Sequence, residues 1–157
     1  MTTVAIDHPI PPFQAQATSG RTITQDDLRG QWTVLYFYPR DNTPGCTNEA
    51  KDFRDLYQQF QALGAQIFGV SRDSLKSHEN FKAKLELPFE LISDPDETLC
   101  RVFDVIKEKN MYGKKVMGIE RSTFLIDPEG VVRREWRKVK VPGHAQAVLE
   151  TLRELHG

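Results

Sequence analysis

Residues 34–49 constrain the fold of this chain more than any other stretch. Val34-Leu-Tyr-Phe-Tyr38 is an unbroken apolar run of strand length. Pro39 to Gly45 is a loop punctuated by proline, asparagine and glycine, and a helical pattern begins at Cys46. Phe53, Leu56, Phe60 and Leu63 then recur at spacings of three and four, which predicts an amphipathic helix that Gly64 ends. Gln66-Ile-Phe-Gly-Val-Ser71 reads as the next strand. Two strands joined through a right-handed helical crossover lie parallel in one sheet, so the chain is committed to an α/β fold. Open α/β sheets carry their sites at the carboxyl ends of strands, and Cys46 stands at such a place. The first amides of a helix lack intrahelical partners and the macrodipole adds partial positive charge there. A thiol at that point is favoured as thiolate, the form that attacks.

The rest of the pattern extends this unit. Pro9, Pro11 and Pro12 give an extended lead-in. Phe13-Gln-Ala-Gln-Ala-Thr18 and Arg21-Thr-Ile-Thr24 flank Ser19-Gly20 and predict an N-terminal β-hairpin. Ser74 is suited to cap a helix that runs to about Leu85 and stops before Pro88. Glu90-Leu-Ile92 suggests a short strand, and Asp94-Pro-Asp-Glu97 opens a short helix carrying Leu99 and Phe103, with acidic residues in its first turn. Residues 107–118 read as an irregular basic loop. Ser122 to Ile126 and Val131 to Lys138 are expected strands joined by the turn Asp127-Pro-Glu-Gly130. Ala145, Val148, Leu149, Leu152 and Leu155 share one face of a closing helix. This order predicts a thioredoxin-like fold, a mixed central sheet flanked by helices, with residues 1–157 forming a single domain.

With 157 residues the chain has enough length for a core without disulfide staples. Its net charge of −1 argues against nucleic acid or an anionic membrane surface as partner. No apolar stretch approaches the roughly 18 residues of a membrane span, and Met1 to Asp7 has neither the basic nor the apolar region of a secretory signal. A cytoplasmic location is therefore expected. Cys46 and Cys100 lie too far apart for a zinc spacing, and His8, His78, His144 and His156 are scattered, so no metal is expected.

Pro39-x-x-x-Thr43-x-x-Cys46 resembles the active-site signature of the peroxiredoxins. Pro39 to Glu49, taken with Arg121-Ser-Thr-Phe-Leu-Ile-Asp127 and Trp136-Arg-Lys-Val-Lys-Val-Pro-Gly-His144, is similar to the bacterioferritin-comigratory (Q-type) branch. The resemblance implies a thiol-dependent peroxidase acting on hydrogen peroxide and organic hydroperoxides, with no cofactor. It implies Cys46 as the nucleophile that becomes sulfenic acid, and Arg121, on a late strand, as the cation near it. A guanidinium stays charged and can hold thiolate and peroxide oxygen through separate N–H groups. The Thr43 hydroxyl both donates and accepts, and the Pro39 ring can screen the sulfur from water. The resemblance also has Glu49 orient Arg121, although a first-turn acidic residue explains Glu49 equally well. A monomer is expected, since this branch commonly contains monomers.

The chain departs from much of the branch at its second thiol. Lys51 occupies a common resolving-cysteine position, and residues 74–86 contain no cysteine. Cys100, on a partly buried helix face, reads as structural first and redox-active second. A one-cysteine cycle follows, with thioredoxin, glutaredoxin or a small thiol as reductant. The alternatives are a two-cysteine cycle through Cys100, or a disulfide oxidoreductase on the same fold. The latter is weakened because Thr43 stands where a Cys-x-x-Cys pair needs its other thiol.

Overall fold

The apolar run at 34–38 becomes the middle of the sheet. In the computed structural model, which describes residues 4–156, strands β1 (Gln14–Ala17) and β2 (Thr22–Thr24) form the expected N-terminal hairpin. A 3-10 turn over Gln25–Leu28 leads to β3 (Trp32–Phe37). Helices α1 (Pro44–Asp55) and α2 (Tyr57–Ala62) cross over to β4 (Ala65–Ser71), which lies parallel to β3. Helix α3 (Leu75–Leu85) connects to β5 (Glu90–Ser93), parallel to β4, and α4 (Thr98–Val102) follows. Strands β6 (Ile106–Met111) and β7 (Lys114–Ile119) form a separate hairpin. Strands β8 (Ser122–Ile126) and β9 (Val132–Trp136) and helix α5 (His144–His156) close the chain. The main sheet has the order β2-β1-β5-β4-β3-β8-β9, with β8 antiparallel to β3, so the sheet is mixed as expected.

Alternation along β3 divides the interior into two cores. Val34, Tyr36 and Tyr38 face one side with Cys46, Phe53, Phe60, Phe81 and Val148, under α1, α2, α3 and α5. Leu35 and Phe37 face the other side with Ile10, Phe13, Leu99, Cys100 and Phe103, under α4 and the N-terminal segment. The two cysteines therefore belong to opposite faces of the sheet. No helix among the described residues is long and apolar enough to cross a membrane.

Four local expectations need correction. Residues 107–118 are the β6–β7 hairpin, turned through Tyr112 (φ +54°) and Gly113 (φ +79°), which both adopt the left-handed backbone of a tight hairpin turn. Its charged side chains bury little, so it shows no apolar period, and backbone pairing holds it. The crossover helix is broken at Leu56, whose backbone lies at φ −97° and ψ 1°. The Phe53 and Phe60 rings, on either side of this break, lie 6.0 Å apart in the same core. Helix α4 begins only at Thr98, and Asp94 acts from before it, accepting from the amides of Leu99 (3.1 Å) and Cys100 (2.7 Å). Cys100 itself is fully buried rather than partly so.

Candidate active site

Helix α1 opens with Pro44 at its first position, where the missing N–H is no loss. Thr43 is the residue before it, in extended conformation, yet its hydroxyl makes no capping bond and donates instead to the Arg40 carbonyl at 2.8 Å. The helix starts two residues earlier than the sequence pattern predicts, because Pro44 and Gly45 form its first turn, and Cys46 is its third residue. The first backbone bond of the helix runs from Thr47 N–H to the Thr43 carbonyl at 2.9 Å. The amides of Gly45 and Cys46 thus precede the ladder and point their dipoles toward the loop. Cys46 is 2% exposed.

Arg121 reaches this sulfur from 75 residues away, its Nη2 donating to Cys46 Sγ at 3.3 Å. Its Nη1 donates to Glu49 Oε1 at 2.6 Å. Arg121 is not within a strand, as expected from sequence, but in the two-residue link Glu120–Arg121 between β7 and β8. Its carbonyl accepts from Val139 N–H, which anchors that link. Gly45 leaves little room here: a Cβ at that residue would lie 3.2 Å from Arg121 Nη2, so the guanidinium would have to give by a few tenths of an ångström. Glu49 lies beyond the first turn of α1, so its alternative reading as a helix-start charge fails. The ion pair is what the structure gives it.

Glu49 carries an unusual load. It is 1% exposed, and its second oxygen has no hydrogen-bond partner. Burial pushes its carboxyl up to about 7, with Arg121 pulling the other way. The sign follows from linkage. A carboxyl that titrates near 4.5 unfolded and near 7 folded contributes most stability below pH 4.5, and that contribution is lost as pH rises through 7, by up to about 3 kcal/mol. His144, the first residue of α5, works oppositely in the same window. Its Nε2 lies 2.7 Å from the Thr123 hydroxyl, and burial, aided by Arg121, pushes it down to about 4. Its contribution is present above pH 6.5 and lost as pH falls through 4. The two slopes offset each other, so wild-type stability is expected to be nearly flat between pH 4.5 and 6.5. Glu49→Gln removes one of them. Urea unfolding should then show stability rising with pH across that window, and a variant as flat as wild type would show that Glu49 ionises normally.

The loop before Cys46 is tied down from behind by residues that the sequence reading did not single out. Asp41, His78 and Asp73 bring ligand-type atoms within 4.8 Å of one another, a metal-like spacing among the described residues. These atoms are already engaged. His78 Nδ1 lies 2.7 Å from Asp41 Oδ2, and Asp73 Oδ2 accepts from the Asp41 amide at 2.9 Å. A periodic reading of α3 could have found His78, since it shares a face with Phe81 and Leu85, three and seven residues on.

In front of the loop is a groove of ≈ 660 Å³. Pro39 and Thr43 line one side, the charged residues Arg72, Glu97 and Lys109 are also in its lining, and Met111, Val116 and Met117 of the hairpin supply apolar surface. Those three hairpin side chains are exposed apolar surface. Pro39 is half-buried where β3 leaves the sheet. Cys100 lies outside this arrangement altogether. Burial, with the neighbouring Asp94, pushes its thiol far above the ordinary value, which keeps it protonated and unreactive.

Residues 6–135 match the AhpC/TSA family. The peroxiredoxin Bcp of Xanthomonas campestris is 64% identical over 133 residues, 83% of each chain. A Cys-to-Ser variant of Xylella fastidiosa PrxQ superposes with a TM-score of 0.93 at 45% identity, covering 100% of both chains. A Xanthomonas campestris bacterioferritin comigratory protein described for its alkyl peroxide reduction activity has a TM-score of 0.89 at 56% identity over 92% of both chains. The chain therefore belongs to the AhpC/TSA family, in the Bcp/PrxQ branch of the peroxiredoxins, and is a thiol-dependent peroxidase.

Proposed function

We propose that Cys46 is the peroxidatic nucleophile and that the chain runs a one-cysteine cycle on hydrogen peroxide and organic hydroperoxides. The observation that carries this is the Arg121 guanidinium on Sγ, with the sulfur in the first turn of α1. The thiolate attacks the terminal oxygen of ROOH, forming S–O as O–O breaks. The alkoxide leaves with a proton as ROH, and Cys46 becomes sulfenic acid. Arg121 stabilises the charge growing on the departing oxygen. Glu49 is a positioning residue that holds Arg121. The Thr43 hydroxyl has spent its hydrogen on Arg40, which leaves its lone pairs to accept from the peroxide O–H. Pro39 offers no N–H and walls the sulfur off from water. An organic tail lies along Met111, Val116 and Met117.

The second half of the cycle uses an external thiol. An R′SH attacks the sulfenic sulfur, releasing water and leaving a mixed disulfide. A second thiol then frees Cys46 as R′SSR′ forms. Thioredoxin, glutaredoxin or a small thiol fits this role. The two free thiols on opposite faces of the sheet support both an external reductant and a reducing, cytoplasmic compartment. We also read residues 1–157 as one domain acting as a monomer.

The mass of protein treated with one equivalent of peroxide tests the cycle. Wild type and Cys100→Ser should both gain one oxygen, and both should turn over with an external thiol at similar rates. A quantitative Cys46–Cys100 disulfide, with Cys100→Ser unable to turn over, would sink the one-cysteine reading.

A further inference from the structure

Cys46 is buried at the start of its helix. Cys46 is 2% exposed, and an incoming thiol must bring its own sulfur and carbon chain in line with the new S–O bond, which demands more room than a small hydroperoxide does. The loop over Cys46 must therefore open once per cycle. What holds it closed is a buried cluster around Asp41. Its Oδ1 accepts from the Tyr38 hydroxyl at 2.6 Å, and its Oδ2 accepts from Ser77 at 2.8 Å and faces His78 Nδ1 at 2.7 Å. The Asp41 amide donates to Asp73, which Ser71 also holds at 2.6 Å. His78 is 0% exposed, and its Nε2 donates to the Ile92 carbonyl at 2.9 Å, so the ring is fixed to β5 at its far end. Only Asn42, in the left-handed backbone conformation, separates Asp41 from Thr43, the residue at the start of the helix that carries Cys46. The position of α3 is thus passed through Asn42 to Thr43, at the start of the helix whose third residue is Cys46.

We propose that the Asp41–His78 pair is a clasp that sets how long the loop stays closed over Cys46, and that His78 is a positioning residue for the peroxide step. Closed, the clasp holds Thr43 and Cys46 against Arg121 for attack on peroxide. Released, it lets the loop lift so that the external thiol reaches the sulfenic acid. The inference rests on the one-cysteine reading above. It predicts opposite effects on the two half-reactions, which general loosening of the fold does not produce.

The two ring contacts can be removed separately. In His78→Gln the amide can reach the Ile92 carbonyl but not Asp41, and in His78→Asn it can reach Asp41 but not Ile92. Single-turnover mixing of reduced protein with hydrogen peroxide, and of the sulfenic form with dithiothreitol, measures each step. His78→Gln should slow sulfenic acid formation about tenfold, the scale of one charge-assisted hydrogen bond, and speed its reduction by a similar factor. It should also resist overoxidation in excess peroxide, read as a smaller fraction of sulfinic mass. His78→Asn should stay within about twofold of wild type, since the Asp41 bond survives. Ser77→Ala, a gentler cut on a half-buried residue, should move both rates in the same directions by about two- to threefold, and serves if His78→Gln does not fold. Equal slowing of both steps, or Gln and Asn variants that behave alike, would overturn the clasp. Failure of the underlying reading looks different, because the wild type would then form an internal disulfide or consume no peroxide through Cys46.

Discussion

In single-turnover mixing with hydrogen peroxide, Cys46→Ser is expected to consume no peroxide above background, a loss of more than about 10³-fold, as befits removal of a covalent nucleophile. A hydroxyl at this position still accepts from Arg121, and serine is at home near a helix start, so the fold should survive. The change in unfolding free energy should stay near about 1 kcal/mol. The test is therefore clean in a way that few active-site deletions are. Peroxide turnover that persists in a folded Cys46→Ser protein would remove Cys46 from the chemistry. Cys100 is the only other thiol in the chain, and it is buried in the opposite core with its proton held by burial and by Asp94. It offers no substitute nucleophile.

The central sheet was legible because its strands bury both faces. Val34 to Tyr38 and Ile67 to Val70 read as continuous apolar runs, and the helices between them carry their core residues at helical spacing. Strands β6 and β7 were not legible, for the complementary reason. Lys107-Glu-Lys-Asn110 and Lys114-Lys115 lie on a hairpin outside the main sheet, so neither face demands apolar residues. Its turn is also disguised, since Tyr112 occupies a left-handed backbone position where asparagine or glycine is the usual signal. The hairpin matters to function because it supplies the apolar wall of the groove in front of Pro39 and Thr43.

The site divides in the same way. Pro39, Thr43 and Cys46 are neighbours in sequence, and a strand-loop-helix junction gives their relative positions directly. Arg121 and Glu49 are 72 residues apart, and Arg121 sits in a two-residue link that carries no pattern of its own. Resemblance to a family, rather than periodicity, brought Arg121 into view. Asp41 and His78 were missed although both are buried, because a charged loop residue and a lone histidine read as solvated when their partner is 37 residues away. Buried polar groups of this kind become visible only through the question of who satisfies them.

Arg121→Ala separates what this residue does for the reaction from what it does for the fold. Loss of the Nη2 contact to Cys46 removes the guanidinium that donates to the sulfur, and peroxide attack should slow by about 10² to 10³-fold, the scale of a lost transition-state stabiliser. The same substitution leaves Glu49 buried at 1% exposure with neither oxygen partnered. Breaking a buried pair from one side costs about 3–5 kcal/mol when the remaining charge stays ionised. Glu49 already titrates near 7, however, so at pH 5 it takes up a proton and much of that penalty vanishes. Stability of Arg121→Ala should therefore fall steeply between pH 5 and pH 8, where wild type with its Arg121 counter-ion falls less. Adding Glu49→Gln removes the stranded charge, so the double variant should recover stability at pH 8 while its peroxide rate stays as slow as that of Arg121→Ala. Stopped-flow rates and urea unfolding on wild type, Glu49→Gln, Arg121→Ala and the double variant decide the matter. If the second substitution restored the rate together with stability, the guanidinium would act through packing alone, and its place beside the departing oxygen would have to be given up.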